Sequence, residues 1–233
     1  MPFDLSSPDF WVAVLQIIAI DIVLSGDNAV VIALACRNLP AEQRRLGILW
    51  GVGGAIGLRV VLTAFAAGLL GYPYLKLIGG FLLLWIGVKL LLPEGEEGHD
   101  IQGAGHLWGA VKTIIVADFV MSLDNVIAVA AAARDSIFLL LFGLAVSIPL
   151  IVWTSQLFLK LMERFPVIIT LGAGLLGWVA GGMLATDVAV KGWVEAAMPL
   201  AHYVASAVCA LFVVVVGNWL AWRKAGREER RIV

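Results

Sequence analysis

The chain has 233 residues, 61% hydrophobic and 14% charged, with a formal net charge of −1 and a mean hydropathy of +0.98. Soluble domains sit at about 45–50% apolar and about 25% charged residues, so composition excludes a water-soluble globule and points to an all-α, multi-pass membrane protein. The near-zero charge is uninformative about macromolecular partners, and no nucleic acid is expected among them.

In chain order, the N-terminal segment Met1–Asp9 lacks the basic n-region of a cleaved signal peptide, so the first span is expected to be retained. A span needs about 20 mainly apolar residues. Seven are predicted: Phe10–Cys36, Leu46–Leu70, Tyr74–Leu92, Leu107–Ala133, Ile137–Leu159, Pro166–Thr186 and Ala201–Trp222. Arg37 to Arg45 reads as a short basic connection. Pro93 to His106 reads as a solvated acidic linker carrying Glu94, Glu96, Glu97 and Asp100, with His99 and His106 solvated rather than metal-binding. Asp187 to Pro199 reads as a short amphipathic turn along the membrane surface. Residues 223–233 read as a basic tail. Cys36 and Cys209 form no C-x-x-C pair or disulfide framework. Trp11, Trp50, Trp108, Trp193, Trp219 and Trp222 are expected at the interfaces and Trp85, Trp153 and Trp178 in helix packing, while His202 reads as interfacial.

Leaving Arg59 inside the second span, the remaining fifteen of the sixteen Lys and Arg residues divide twelve to three. Arg37, Arg44, Arg45, Lys89 and the tail from Arg223 lie on the rich side, against Lys76, Arg134 and Lys191 on the other. Basic residues collect in cytoplasmic loops, so the N-terminus is expected outside and the C-terminus in the cytoplasm of a bacterial inner-membrane protein.

Residues 16–37 align without a gap on 113–134. A fainter echo pairs Leu77–Trp85 with Thr170–Trp178. The repeat units are therefore about 10–92 and about 107–186, with a seventh helix at about 201–222. An odd number of spans per unit puts the copies in opposite orientations, the inverted-repeat architecture whose substrate sites lie near the midplane.

The aligned segments share one skeleton, Asp21-Ile-Val-Leu-Ser-Gly-Asp-Asn28 and Asp118-Phe-Val-Met-Ser-Leu-Asp-Asn125. A carboxylate at bilayer depth costs about 2.5–3.5 kcal/mol even on lenient insertion scales, and this chain carries four. At about 100° per residue, Asp21, Ser25 and Asn28 share a face, as do Asp118, Ser122 and Asn125. Asp27 and Asp124 fall about 120° away on an unbroken helix, so a common site is expected to need a kink near Ser25-Gly26 and Ser122-Leu123. Carboxylate and amide oxygens suit hard cations such as Mg²⁺, Ca²⁺ and Mn²⁺. The expected metal ligands are Asp21, Asp27, Asn28, Asp118, Asp124 and Asn125, supported by Ser25, Ser122 and Arg59. Hydrogen-bonded helix glue is the plainer reading, but glue does not require the same four polar residues twice. Arg59, about a dozen residues from either span end, is expected to pair with a carboxylate rather than snorkel.

On these residues the chain resembles the TerC family of integral membrane proteins, over about residues 8–222. The markers are Ser25-Gly-Asp-Asn28, the Asp118–Asn125 motif, Gly57-Leu-Arg-Val60 and the Gly-rich third and sixth spans. The family is named for tellurium resistance and regarded as exporters of divalent metals, chiefly manganese. The resemblance implies that Asp21, Asp27, Asp118 and Asp124 handle the metal, in a single domain without an appended soluble one. The expected function is thus export of a divalent cation, Mn²⁺ foremost, by alternating access. Four acids against a two-plus ion leave charge for proton exchange. The partners are the metal ion and the bilayer; no resident cofactor and no enzymatic activity are expected. Three rivals remain: an intramembrane aspartyl protease, whose G-x-G-D signature is missing at Ser25-Gly26-Asp27, a membrane-protein assembly factor, and, more weakly, an amino-acid exporter.

The basic asymmetry predicts that cysteines introduced at Gln43 or Glu97 resist membrane-impermeant thiol reagents in intact cells. Ready labelling at either position would reverse the orientation.

Overall fold

In the computed structural model the structure describes residues 8–64, 72–92, 104–133, 137–197 and 200–232; within these, the side chains of 17–25 and 124–133, among others, are outside the description. Among the described residues eight helices form and no strand: α1 (Pro8–Cys36), α2 (Ala41–Ala64), α3 (Leu75–Leu91), α4 (Ala104–Ala133), α5 (Ile137–Arg164), α6 (Val167–Thr186), α7 (Lys191–Ala197) and α8 (Ala201–Ile232). Helices dominate because the apolar runs leave the backbone no water to bond, and a helix satisfies its N–H and C=O groups within the segment. By length and composition four described segments suffice to cross a bilayer, 41–62, 106–123, 167–186 and 201–225, and 26–36 is a shorter apolar stretch.

The pairings are α1 with α5, α2 with α4, α3 with α6 and α1 with α4, while α8 lies along α6 and α3. Helices α1 and α4 sit at the centre and face two apolar clusters. Ala33, Leu34, Ile48, Val52 and Ile114 fill one, from α1, α2 and α4. Val31, Leu83, Ala117, Val120 and Met183 fill the other, drawing in α3 and α6. Lipid is as apolar as leucine, so helices associate by close backbone approach at small residues. Gly177 and Gly181, four apart on α6, meet the backbone of α8 directly. A Cβ on Gly177 would lie 2.6 Å from the Cys209 carbonyl oxygen, and one on Gly181 would strike Ala205 and Ser206. Gly51 and Gly54 play the same part on α2, where an added Cβ would sit 2.5 Å from the Ile114 and Ile115 side chains of α4.

Trp85, Trp153 and Trp178 are exposed rather than packed between helices, which corrects the expectation for them. With small residues at the helix contacts, the large rings go outward, where lipid receives them without cost. Helix α2 begins at Ala41, so Arg44 and Arg45 are helical and the connection from α1 is only about residues 37–40. Arg44 binds this corner: its Nε donates to the Leu39 carbonyl at 2.9 Å, Nη2 to the Arg37 carbonyl at 3.0 Å, and Nη1 pairs with Glu163 of α5. Helix α8 continues to Ile232, through nearly all of the basic segment after Trp222. Asp187–Pro199 contains the helical turn α7. Residues 65–71 and 93–103, which include the end of the second predicted span and the acids of the linker, lie outside the described residues.

Asp187, just past α6, is wholly buried and ties α6 to the start of α3. Its Oδ1 accepts the N–H groups of Tyr74 (3.0 Å) and Ala189 (2.8 Å); Oδ2 accepts those of Lys76 (3.0 Å) and Leu77 (3.2 Å). Those N–H groups at the beginning of α3 have no carbonyl of their own helix to bond. Tyr74 reaches this arrangement at φ 69°, the left-handed region that a non-glycine residue occupies only when its surroundings enforce it. Burial raises the Asp187 carboxyl, and the four N–H bonds lower it further, so it lies below the usual carboxylate range. A depressed carboxyl stabilises the fold above the unfolded acid's range, and that contribution is lost as pH falls through the depressed value. Asp187→Ala should therefore cost about 1–3 kcal/mol and weaken the acid dependence of unfolding, read by thermal unfolding of the detergent-purified protein from neutral to strongly acidic pH. An unchanged melting temperature would remove this anchor.

Candidate functional site

The site is assembled where α2 crosses α4 beside α1. Asp118 and Ser122 stand four apart on α4 and so share its face. Arg59 comes from the middle of α2. Arg59 is 3% exposed, Asp118 6% and Ser122 0%. Arg59 Nη2 donates to Asp118 Oδ1 at 2.7 Å and Nε to Ser122 Oγ at 3.2 Å, while the Ser122 hydroxyl donates to Asp118 Oδ2 at 3.2 Å. The three side chains close a ring in which both carboxylate oxygens are bonded. Burying one charge in an apolar interior is prohibitive, and a charge pair is tolerated only with good geometry and its remaining polar atoms satisfied. In this ring the charges sit at hydrogen-bond distance, and both carboxylate oxygens and the serine hydroxyl are bonded.

Asn28 of α1 is buried against the same cluster. It lines, with Arg59, Asp118, Val52, Ala55 and Ile151, a cavity of about 10 Å³, the space of a single water-sized sphere. Asp27 is half-buried, and its Oδ1 accepts the N–H of Asn28 at 2.9 Å. The side chains of Asp21, Ser25, Asp124 and Asn125 lie outside the described residues. Of the nine candidate residues, the structure therefore brings together Arg59, Asp118, Ser122 and Asn28, with Asp27 adjacent to Asn28 in the chain. Among the described residues no three His, Cys, Asp or Glu side chains converge.

No break in the helix accompanies the expected kink positions. Helices α1 and α4 run as unbroken α-helix through Ser25-Gly26 and Ser122-Leu123. The role of Asp187 is not legible in the sequence: an Asp two residues before a free N–H is a local turn signal, but nothing in the sequence ties it to α3, over a hundred residues earlier.

Comparison with known proteins agrees with this architecture. The model of the integral membrane protein TerC family matches residues 6–225. An uncharacterized membrane protein of Bacillus subtilis, YjbE, is 42% identical over 198 residues, covering 82% of this chain and 90% of the relative. A second from the same organism, YceF, is 24% identical over 97% of the chain and 88% of its own length. The inner membrane protein YgdQ of Escherichia coli is 25% identical over 74% of the chain and 79% of its own length. No solved structure matches. With nearly its whole length matched, the chain belongs to the TerC family.

Removing Arg59 leaves a buried carboxylate without its counter-ion, a loss of about 3–5 kcal/mol where one partner of a buried pair is deleted. Arg59→Met should lower the melting temperature of the purified protein sharply, and the added change Asp118→Asn should restore much of the loss. Equal melting of single and double variants would show that the pair is not what holds α2 to α4.

Proposed function

We propose that this TerC-family membrane protein exports a divalent metal cation, Mn²⁺ foremost, from the cytoplasm by alternating access. The observation that carries the reading is the buried Arg59–Asp118–Ser122 ring facing the Asn28 amide across a cavity of one water's size. An acid maintained at bilayer depth beside neutral oxygens is the donor set a hard cation takes. The proposed ligands are Asp21, Asp27, Asn28, Asp118, Asp124 and Asn125, with Ser25 and Ser122 in support.

Arg59 acts here as a resident counter-cation. Its guanidinium holds both Asp118 Oδ1 and Ser122 Oγ. An arriving two-plus ion competes for the same oxygens with twice the charge and a smaller radius. Displaced, the guanidinium repels the ion from the carboxylate side and returns when the ion leaves. Binding and release thus exchange one cation for another without leaving an acid bare in the membrane. Exchange against protons at the remaining acids completes the cycle.

The helix pairings support alternating access. Exchanging the first three helices with the next three turns the α1–α5 contact into the α4–α2 contact and leaves α1–α4 and α3–α6 mapped on themselves. An inverted repeat produces that pattern, with its site between the repeats. In this reading the N-terminus is outside and the C-terminus in the cytoplasm.

The test is metal retention. In an export-deficient bacterium loaded with Mn²⁺, the parent chain should restore release, and Asp118→Asn and Asp21→Asn, matched for membrane expression, should leave the metal inside the cell. Rescue by either variant equal to the parent would exclude that residue from the path. Normal release by both would favour an assembly role in which the acids are dispensable.

A further inference from the structure

Helices α2 and α5 each carry a helix-weakening residue, and the two stand at one level. Arg44, near the start of α2, pairs with Glu163, near the end of α5. Further along, both helices line the small cavity at Asp118, α2 through Val52, Ala55, Ile56 and Arg59, and α5 through Ile151. The two helices therefore run antiparallel and are fastened at one end. Gly57 stands thirteen residues beyond Arg44, and Pro149 fourteen before Glu163. At 1.5 Å per residue each lies about 20 Å from the fastened end. We infer that Gly57 and Pro149 are the paired hinges of a gate. The arms beyond them, residues 58–64 of α2 and 137–148 of α5, bend away from the fastened halves and open the cavity at that end.

Helix packing does not account for either residue. Gly51 and Gly54 admit the side chains of Ile114 and Ile115, whereas among the described residues no atom of another element lies within 4 Å of where a Cβ on Gly57 would stand. Gly57 and Pro149 are both exposed. A glycine at this place only weakens its helix, and a proline inside α5 removes the N–H that would bond the Ala145 carbonyl. Helices bend at such steps, and domain closure around ligands uses the few residues that absorb the change in dihedral angle. The fastened halves resist bending, because Arg44 binds the carbonyls at the end of α1 while Gly51 and Gly54 seat α2 on α4. On the α2 arm the described buried side chains are Arg59 and Leu62. Arg59 is thus the latch: an ion that displaces its guanidinium from Asp118 also releases the arm, and the pair re-formed when the ion leaves closes it. This inference rests on the transport reading for its purpose. In the orientation proposed there, the gate faces outside, where an exported ion departs.

The experiment reads the full chain in two ways. In the export-deficient bacterium loaded with Mn²⁺, Gly57→Ala combined with Pro149→Ala should slow release about tenfold or more, since alanine restores helix propensity at both steps. The purified double variant should melt at or above the temperature of the parent, which separates a stiffened hinge from a damaged fold. Gly53→Ala, also exposed but inside the fastened half, should release Mn²⁺ as the parent does. In detergent, backbone hydrogen exchange of the parent should be faster in 58–64 and 137–148 than in the fastened halves, and the double variant should slow it about tenfold. Uniform exchange along both helices would overturn the hinges and leave the transport reading intact. So would release by the double variant equal to that of the parent, or equal slowing by Gly53→Ala. A parent that releases no Mn²⁺ removes the transport reading, and the exchange pattern then decides the hinges by itself. It also decides them if the double variant melts below the parent.

Discussion

The pairing of Arg59 with Asp118 is the constraint around which the described bundle is organised. Neither charge is tolerable alone in an apolar interior, and each makes the other tolerable only at hydrogen-bond distance. This requires α2 and α4 to touch near mid-span, which Gly51 and Gly54 permit by admitting the Ile114 and Ile115 side chains into the contact. With α2 fixed on α4, Asn28 of α1 closes the third side of the small cavity. The apolar clusters on either side then fill the remaining faces of α1 and α4. A polar centre thus sets the register, and the apolar packing follows it.

The two buried aspartates among the described residues, Asp118 and Asp187, solve the same problem by different means. Asp118 lies where every backbone N–H is already used by its helix, so only a side-chain cation can answer its charge. Asp187 lies just past α6 and beside the N-terminal end of α3, where N–H groups lack helical partners, and it accepts three of these together with that of Ala189. The first arrangement is exchangeable, since a cation can replace a cation. The second has no replacement, because the N–H groups of α3 have nowhere else to go. That contrast is why Asp118, and not Asp187, enters the proposed transport site, while Asp187 anchors α6 to α3.

The basic end of the bundle follows a third logic. Arg37, Lys89, His106 and Lys224 are far apart in sequence and meet only because α1, α3, α4 and α8 end or pass at one level. Arg44 secures that level by binding the carbonyls at the end of α1 and pairing with Glu163 of α5.

Much of this was legible in the sequence by itself. Apolar run length determined the helical membrane class, because the bilayer core admits little else. The four-residue step from Asp118 to Ser122 placed them on one face through the helical period alone, and a mid-span arginine announced its need for an acid by the cost of leaving it bare. What only the tertiary structure decided is which faces meet. Arg59 takes Asp118 and Ser122, α4 runs as continuous α-helix through that site, and Trp85, Trp153 and Trp178 turn outward while glycines occupy the contacts. Asp187 reaches Tyr74 across the sequence, and four separate segments meet at one basic end of the bundle. Helical periodicity fixes direction within a segment, but contacts between segments depend on crossing geometry and on the fit of side chains from the whole bundle, and no local stretch of sequence encodes those.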